Sequence, residues 1–268
     1  MTYQADNDIL LSKLTDGILR LTLNDNKRRN ALSTEMLAQL SAALTEAADD
    51  VRVRVVVLAA NGPVFCSGHD LKEMTVARTK TDKGLEAYQK LFSACASVMQ
   101  QIVNNPKPVI AEVAGVATAA GCQLVASCDL AYSSKDALFA TPGVNIGLFC
   151  STPMVAVSRK INRKTMMKML LTGDPIKANY AKEIGLINDY FSKSKLNNEV
   201  FKVAKKIASK SNLTIKIGKQ AFYKQLEMPL RKAYIYTSKM MTLNMMAMDA
   251  KEGISAFLEK RRPKWKNK

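Results

Sequence analysis

Two apolar runs, residues 53–58 and 109–113, each lead through a stretch of small residues into a helical pattern. The first passes through Phe65-Cys66-Ser67-Gly68-His69-Asp70-Leu71. The second passes through Gly115-Val116-Ala117-Thr118-Ala119-Ala120-Gly121-Cys122-Gln123. A buried strand followed by a helix, twice over, points to an α/β chain. A helix start carries N–H groups with no internal partner and a positive dipole end. Small residues there let a ligand approach the main chain. One N–H from each stretch can clamp a carbonyl oxygen as it gains charge, which is an oxyanion hole. Such a clamp serves reactions that form an enolate or a tetrahedral oxyanion.

The remaining pattern fills in around those two junctions. Residues 9–14 and 18–23 alternate apolar with polar about Thr15-Asp16-Gly17, which predicts a β-hairpin. Ser33 is placed to cap a helix over 34–48, with Met36, Leu37, Leu40 and Leu44 on one face. Asp70 is placed to cap a short helix over 71–74, and a longer helix is expected over 85–101, stopped by Asn104-Asn105-Pro106-Lys107-Pro108. Short strands are expected over 130–133 and 138–140. From Arg163 the pattern is mostly helical, broken at 187–191. This predicts an α/β core over residues 1–192 and a helical region over 193–268. The cluster Met240, Met241, Met245, Met246 and Met248 suits a core or subunit interface, or less commonly an adaptable acyl pocket. No fixed-period repeat is visible.

Composition excludes several classes. At 268 residues with 47% hydrophobic content the chain can bury a large core. No apolar run reaches the length of a transmembrane helix, so a membrane is not an expected partner. The start, Met1-Thr2-Tyr3-Gln4-Ala5-Asp6, is neither basic nor apolar enough for a targeting leader. The expectation is a soluble protein, cytoplasmic if bacterial, or in the mitochondrial matrix if eukaryotic with a leader removed. Five cysteines, an odd number without a Cys-x-x-Cys pair, read as reduced core residues. A single histidine argues against a His-based metal site. Residues 1–158 hold 14 Lys/Arg and 15 Asp/Glu, whereas residues 159–268 hold 26 and 8. Most of those lysines read as solvated surface, and the sharper reading is attraction of a polyanion such as a phosphorylated cofactor. Nucleic acid ranks last among the candidates, because aromatics are only 6% and no stacking platform is evident.

With these residues in view, the chain resembles the crotonase, or enoyl-CoA hydratase/isomerase, superfamily. The resemblance runs over essentially the whole length. Lys27-Arg28-Arg29-Asn30-Ala31-Leu32 and the Phe65–Met74 stretch carry it near the N-terminus. Ala119-Ala120-Gly121-Cys122-Gln123, Ala140-Thr141-Pro142-Gly143 and Leu170-Leu171-Thr172-Gly173 follow, and Glu252-Gly253-Ile254-Ser255-Ala256-Phe257-Leu258 closes it. The resemblance implies a spiral of stacked ββα units and a C-terminal helical trimerisation region, with trimers that pair into hexamers in some members. It implies a CoA thioester as ligand, coenzyme A being part of the substrate, with no separate cofactor and no metal. It places the two oxyanion donors on the main chain of His69 and Ala120. It puts Lys27 and Arg28 near the CoA phosphates, and Ser67, Asp70, Leu71 and Lys72 along the CoA path. Phe257 and Lys260 would reach CoA from a neighbouring subunit.

The resemblance also exposes a gap. Hydrating an enoyl thioester needs a water held between two carboxyl groups, one drawing a proton and one supplying it. The family's hydratases carry those glutamates at the positions of Gln123 and Gly143. A carboxamide does not ionise and glycine has no side chain. His69, Ser151, Cys150 and Asn145 are the substitutes to weigh, each without an evident activating partner. Two functions stay open: an enzyme acting on a CoA thioester with an unusual acid–base set, and a non-catalytic acyl-CoA binder or regulatory protein.

Overall fold

The computed structural model describes residues 9–268, so the N-terminal stretch Met1 to Asp6 read above lies outside the described residues. Strand β1 (Leu10–Thr15) turns through Asp16-Gly17 into β2 (Ile18–Leu23), pairing Thr15 with Ile18. Both turn residues have positive φ, 52° and 78°, as a two-residue hairpin with right-handed strand twist requires. Helix α1 (Thr34–Asp49) is capped by Ser33, whose hydroxyl accepts from Met36 N. Its apolar stripe, Met36, Leu37, Leu40 and Leu44, is buried.

Beyond α1 the chain winds in ββα units. The first comprises β3 (Val55–Ala60), β4 (Val64–Cys66), α2 (Leu71–Ala77) and α3 (Leu85–Asn104). The second comprises β5 (Val109–Val113), β6 (Val116–Thr118) and α4 (Ala120–Ser127). The third comprises β7 (Leu130–Ser134), β8 (Leu138–Ala140) and α5 (Ser151–Val157). Each unit sends its first strand to one sheet and its second to another. The larger sheet has the order β1-β2-β3-β5-β7-β10 and the smaller the order β4-β6-β8-β9. Helix α6 (Arg163–Thr172), strand β9 (Ile176–Lys177), helix α7 (Ala178–Glu183) and strand β10 (Asp189–Phe191) complete both sheets. The structural repeat escapes a sequence search because β4, β6 and β8 are three residues long and carry no readable period.

The C-terminal part is helical: α8 (Lys193–Ala208), α9 (Asn212–Leu226), α10 (Leu230–Met245) and α11 (Met248–Leu258). These helices do not share one role. Leu196, Val200 and Ala204 of α8 pack on Ile18, Val55, Val57 and Ile110, so α8 covers one face of the larger sheet. The other face joins α1, α3 and α4 in the main core. Helices α9 to α11 stand outward, leaving Met241, Met245, Met246 and Met248 exposed. Among the described residues no helix is long and apolar enough to cross a membrane.

Candidate functional site

The two small-residue loops are neighbours because β4 and β6 are. They pair in parallel, Val64 opposite Val116 and Cys66 opposite Ala117, so both chains leave the sheet at the same edge. The Thr118 hydroxyl donates to Ser67 O at 3.1 Å, which ties the loops just past the strands. Gly68 has φ +93°, and a Cβ there would stand 3.0 Å from Ala119 Cβ and 3.5 Å from Ala120 N. Gly121 is held by a closer approach: a Cβ would sit 2.2 Å from Cys66 O. Glycine at both positions lets the start of α4 lie directly on the main chain of β4.

Each loop then opens a helix. Asp70 caps α2, its Oδ1 accepting from Lys72 N at 2.9 Å and Glu73 N at 3.2 Å. Ala119 precedes α4 with φ 50° and ψ −118°, a conformation glycine adopts freely and alanine does not. The backbone restriction at this junction therefore falls on Ala119, not on the Ala120 donor. Ala119 N donates to Ala140 O at 2.9 Å. The N–H groups of His69 and Ala120, by contrast, donate to no main-chain carbonyl among the described residues.

Both residues line a cavity of about 500 Å³. Its walls are mainly apolar, with Leu71 and Met74 from α2, Phe92 from α3, and Ile146, Leu148 and Phe149 from the segment before α5. Ser67 and Gly143 also line it, and among the described residues no aspartate or glutamate does. Gly143 is filled in by its own chain: a Cβ would meet Leu148 O at 2.8 Å and Cys150 Sγ at 3.0 Å. The 143–150 segment closes on itself through Leu148 N to Gly143 O at 2.9 Å. Gln123 is buried in α4 behind the cavity lining, and its Oε1 has no hydrogen-bond partner.

The candidate substitutes for the missing carboxylates fare as follows. His69 lines the cavity, but its Nε2 is buried without a partner and closed off from water. Burial lowers the ring's pKa, opposed by the Leu32 carbonyl and by the charge of Glu73. Cys150 lines the cavity as a thiol, because burial raises its pKa. The deeper Cys66 and Cys122 are pushed up to about 12 by desolvation. Ser151 Oγ donates to Phe149 O at 3.4 Å, and no basic side chain bonds it among the described residues. Asn145 is exposed at the cavity rim.

The residues expected along the CoA path are spread more widely. Lys27 and Lys72 are exposed, and Leu71 is half exposed at the cavity mouth. Arg28 is engaged: its Nε lies 2.5 Å from Asp25, and its other nitrogens 3.6 Å from Glu35 and 3.8 Å from Asp70. Arg28 thus stands between the first turn of α1 and the cap of α2. Phe257 and Lys260 lie at the end of α11, exposed and outside this chain's cavity. The closing segment 143–150 carries no periodic signal, and its role as a cavity wall is visible only in the fold.

Two parallel strand-to-helix junctions that both line an apolar cavity, on a ββα spiral, define a class. The family model described as enoyl-CoA hydratase/isomerase matches residues 13–268, and the chain belongs to that family. It is 47% identical to enoyl-CoA hydratase domain-containing protein 3, mitochondrial, of Rattus norvegicus, over 98% of this chain and 86% of that one. It is 33% identical to 2,3-dehydroadipyl-CoA hydratase of Escherichia coli (strain K12), over 94% of this chain and 96% of that one. The crystal structure of human enoyl Coenzyme A hydratase domain-containing protein 3 superposes with a TM-score of 0.92 at 45% identity, covering 96% of this chain and 100% of that one.

Proposed function

We propose that this protein binds an acyl-CoA thioester with its carbonyl oxygen between the N–H groups of His69 and Ala120. The observation that carries the reading is that these two donors, free of main-chain acceptors, open on one apolar cavity. The acyl chain lies against Leu71, Phe92 and Leu148. In this reading Lys27 and Lys72, both exposed, meet the CoA phosphates, and Phe257 and Lys260 reach a neighbouring subunit's ligand in a trimer or hexamer. The chemistry such a clamp favours is charge build-up on the thioester oxygen, as in an enolate or tetrahedral intermediate.

Fast hydration is not expected of this site. Gln123 and Gly143 supply no carboxylate, and general acid–base groups are worth roughly 10²–10⁴-fold each. Among the described residues the lining holds no aspartate or glutamate, which favours, as the second reading, a binder that holds the thioester without turnover. If the source is eukaryotic, the mitochondrial relatives make the matrix the compartment proposed.

Calorimetry with a saturated acyl-CoA separates these ideas from the unliganded alternative. The wild type is expected to bind in the micromolar range. Ala120→Pro deletes one donor at the first helical position. Because Ala119 at ψ −118° lies outside the range a following proline favours, circular dichroism checks that the fold is kept. The variant is expected to weaken binding about tenfold, in line with roughly 1–2 kcal/mol for one hydrogen bond. No binding by the wild type, or equal binding by the variant, defeats the clamp. Turnover on a panel of acyl-CoAs then decides between enzyme and binder.

A further inference from the structure

We infer that the His69 imidazole is a positioning residue for this clamp, holding its own main-chain N–H in place only while the ring is neutral. The inference rests on the thioester reading above. The peptide joining Gly68 to His69 carries both groups that matter. Its carbonyl accepts from Leu32 N at 2.7 Å. In a trans peptide the C=O and N–H point to opposite sides, so anchoring the carbonyl on Leu32 turns the His69 N–H away from it. The ring supplies a second hold. His69 Nδ1 lies 3.3 Å from Leu32 O, and a carbonyl only accepts, so Nδ1 carries the hydrogen. Leu32, itself fully buried, thereby grips both the peptide and the side chain of residue 69.

In that tautomer Nε2 is a bare lone pair, and it is buried with no partner. A proton there adds a charge and an N–H with nothing to receive either. The surroundings offer little relief. From α2, Glu73 draws the ring's pKa up, but its carboxylate is bonded to Thr34 N at 3.0 Å and to the Thr34 hydroxyl. Asp70, also at that helix start, faces its own cap donors, with Arg28 3.8 Å away. From α3, Phe92 stands edge-on with ring centroids 5.3 Å apart and brings no charge. Ala119 and Ala120 bring none, and across the cavity Cys150 is a neutral thiol. Burial therefore outweighs Glu73. A proton on Nε2 strengthens the Nδ1–H bond to Leu32 O, but burial of the charge outweighs that gain. The ring is therefore drawn toward water, which releases Leu32 O and loosens the peptide that aims the donor.

The chain has one histidine, so a ¹⁵N NMR titration reads this ring without ambiguity. The expected result is a neutral Nδ1–H tautomer, titrating below 6.5. Acyl-CoA affinity, measured by calorimetry from pH 5 to 8 with circular dichroism confirming the fold, should be level at neutral pH. Below the ring's own pKa it should fall and then level off near the affinity of a chain that lacks the ring's hold on Leu32. His69→Leu keeps the main-chain N–H but loses the hold on Leu32, and should bind more weakly than the neutral wild type, with no pH dependence. His69→Asn restores a donor near the Nδ1 position without a titrating group, and should recover part of the loss with no pH dependence. An Nε2–H tautomer, a pKa at or above 6.5, or a His69→Asn profile that still falls in acid overturns the inference while binding at pH 8 leaves the thioester reading standing. No wild-type binding at pH 8 overturns both.

Discussion

Ala119 and Gly143 show how single residues shape this site. Ala119 holds φ 50° and ψ −118° with a Cβ attached, a strain of about 1–3 kcal/mol. Glycine relieves it but costs about 0.4–1 kcal/mol through the looser unfolded chain. Ala119→Gly is therefore expected to raise the urea midpoint by the equivalent of about 1 kcal/mol with an unchanged m-value. Gly143 poses the opposite case. Any side chain there meets Leu148 O and Cys150 Sγ, so the loop must move to admit it. The double variant Gln123→Glu, Gly143→Glu is expected to lose stability without gaining rapid crotonyl-CoA hydration, as a spectrophotometric assay would read. His69 adds a pH term with a definite sign. Its folded pKa lies below the unfolded 6.5, so the unfolded chain takes up the proton first. Stability then rises with pH between those two values and is level above 6.5.

At the scale of elements, the helical region is joined to the core by a buried ion pair on α9. Lys219 Nζ bonds Asp129 Oδ2 at 2.7 Å and the carbonyls of Ile102 and Lys107 at 2.9 and 3.0 Å, using all three of its hydrogens. Asp129 also accepts from Val109 N at 2.7 Å and from the Tyr223 hydroxyl at 2.9 Å. Burial lowers the Lys219 pKa, with Asp129 opposing it. Lys219→Met leaves a buried carboxylate without its cation, and about 3–5 kcal/mol of destabilisation is expected in urea unfolding. Hydrogen exchange should quicken in α9 first. The elements themselves were largely legible: the hairpin, α1 with its Ser33 cap, and β5 over 109–113 follow from period and capping chemistry. Strand β3 runs two residues later than its apolar run, at Val55–Ala60, because pairing with β2 rather than hydrophobicity fixes its ends. Strands β4 and β6 were not legible, and the cavity depends on them.

Over the whole molecule, one chain leaves much apolar surface uncovered on α10 and α11, including Met241, Met246, Phe257 and Leu258. Soluble monomers rarely present so much of it together. Sedimentation is expected to find a multimer, trimer or hexamer, and Met246→Lys to shift it toward single chains. The charge division takes on a physical meaning as well. The surplus cations fall after residue 158, where α8 to α11 hold many lysines outward, whereas the cavity walls carry almost no charge. That arrangement suits a ligand with an anionic body and an apolar end.

By itself the amino-acid sequence determined the order of strands and helices, the caps, and the two small-residue junctions. Those are local properties, set by periodicity and by backbone groups seeking partners within a few residues. It also determined that Gln123 and Gly143 offer no carboxylate, since side-chain chemistry needs no coordinates. Only the tertiary structure decided that the junctions are neighbours, because parallel pairing of β4 with β6 joins residues about fifty positions apart. It alone decided which N–H groups lack an acceptor, that strain sits on Ala119, and that Leu32 grips residues 68 and 69. Whether a donor is free, a nitrogen buried or a space filled depends on what folds over it, and that is a property of packing.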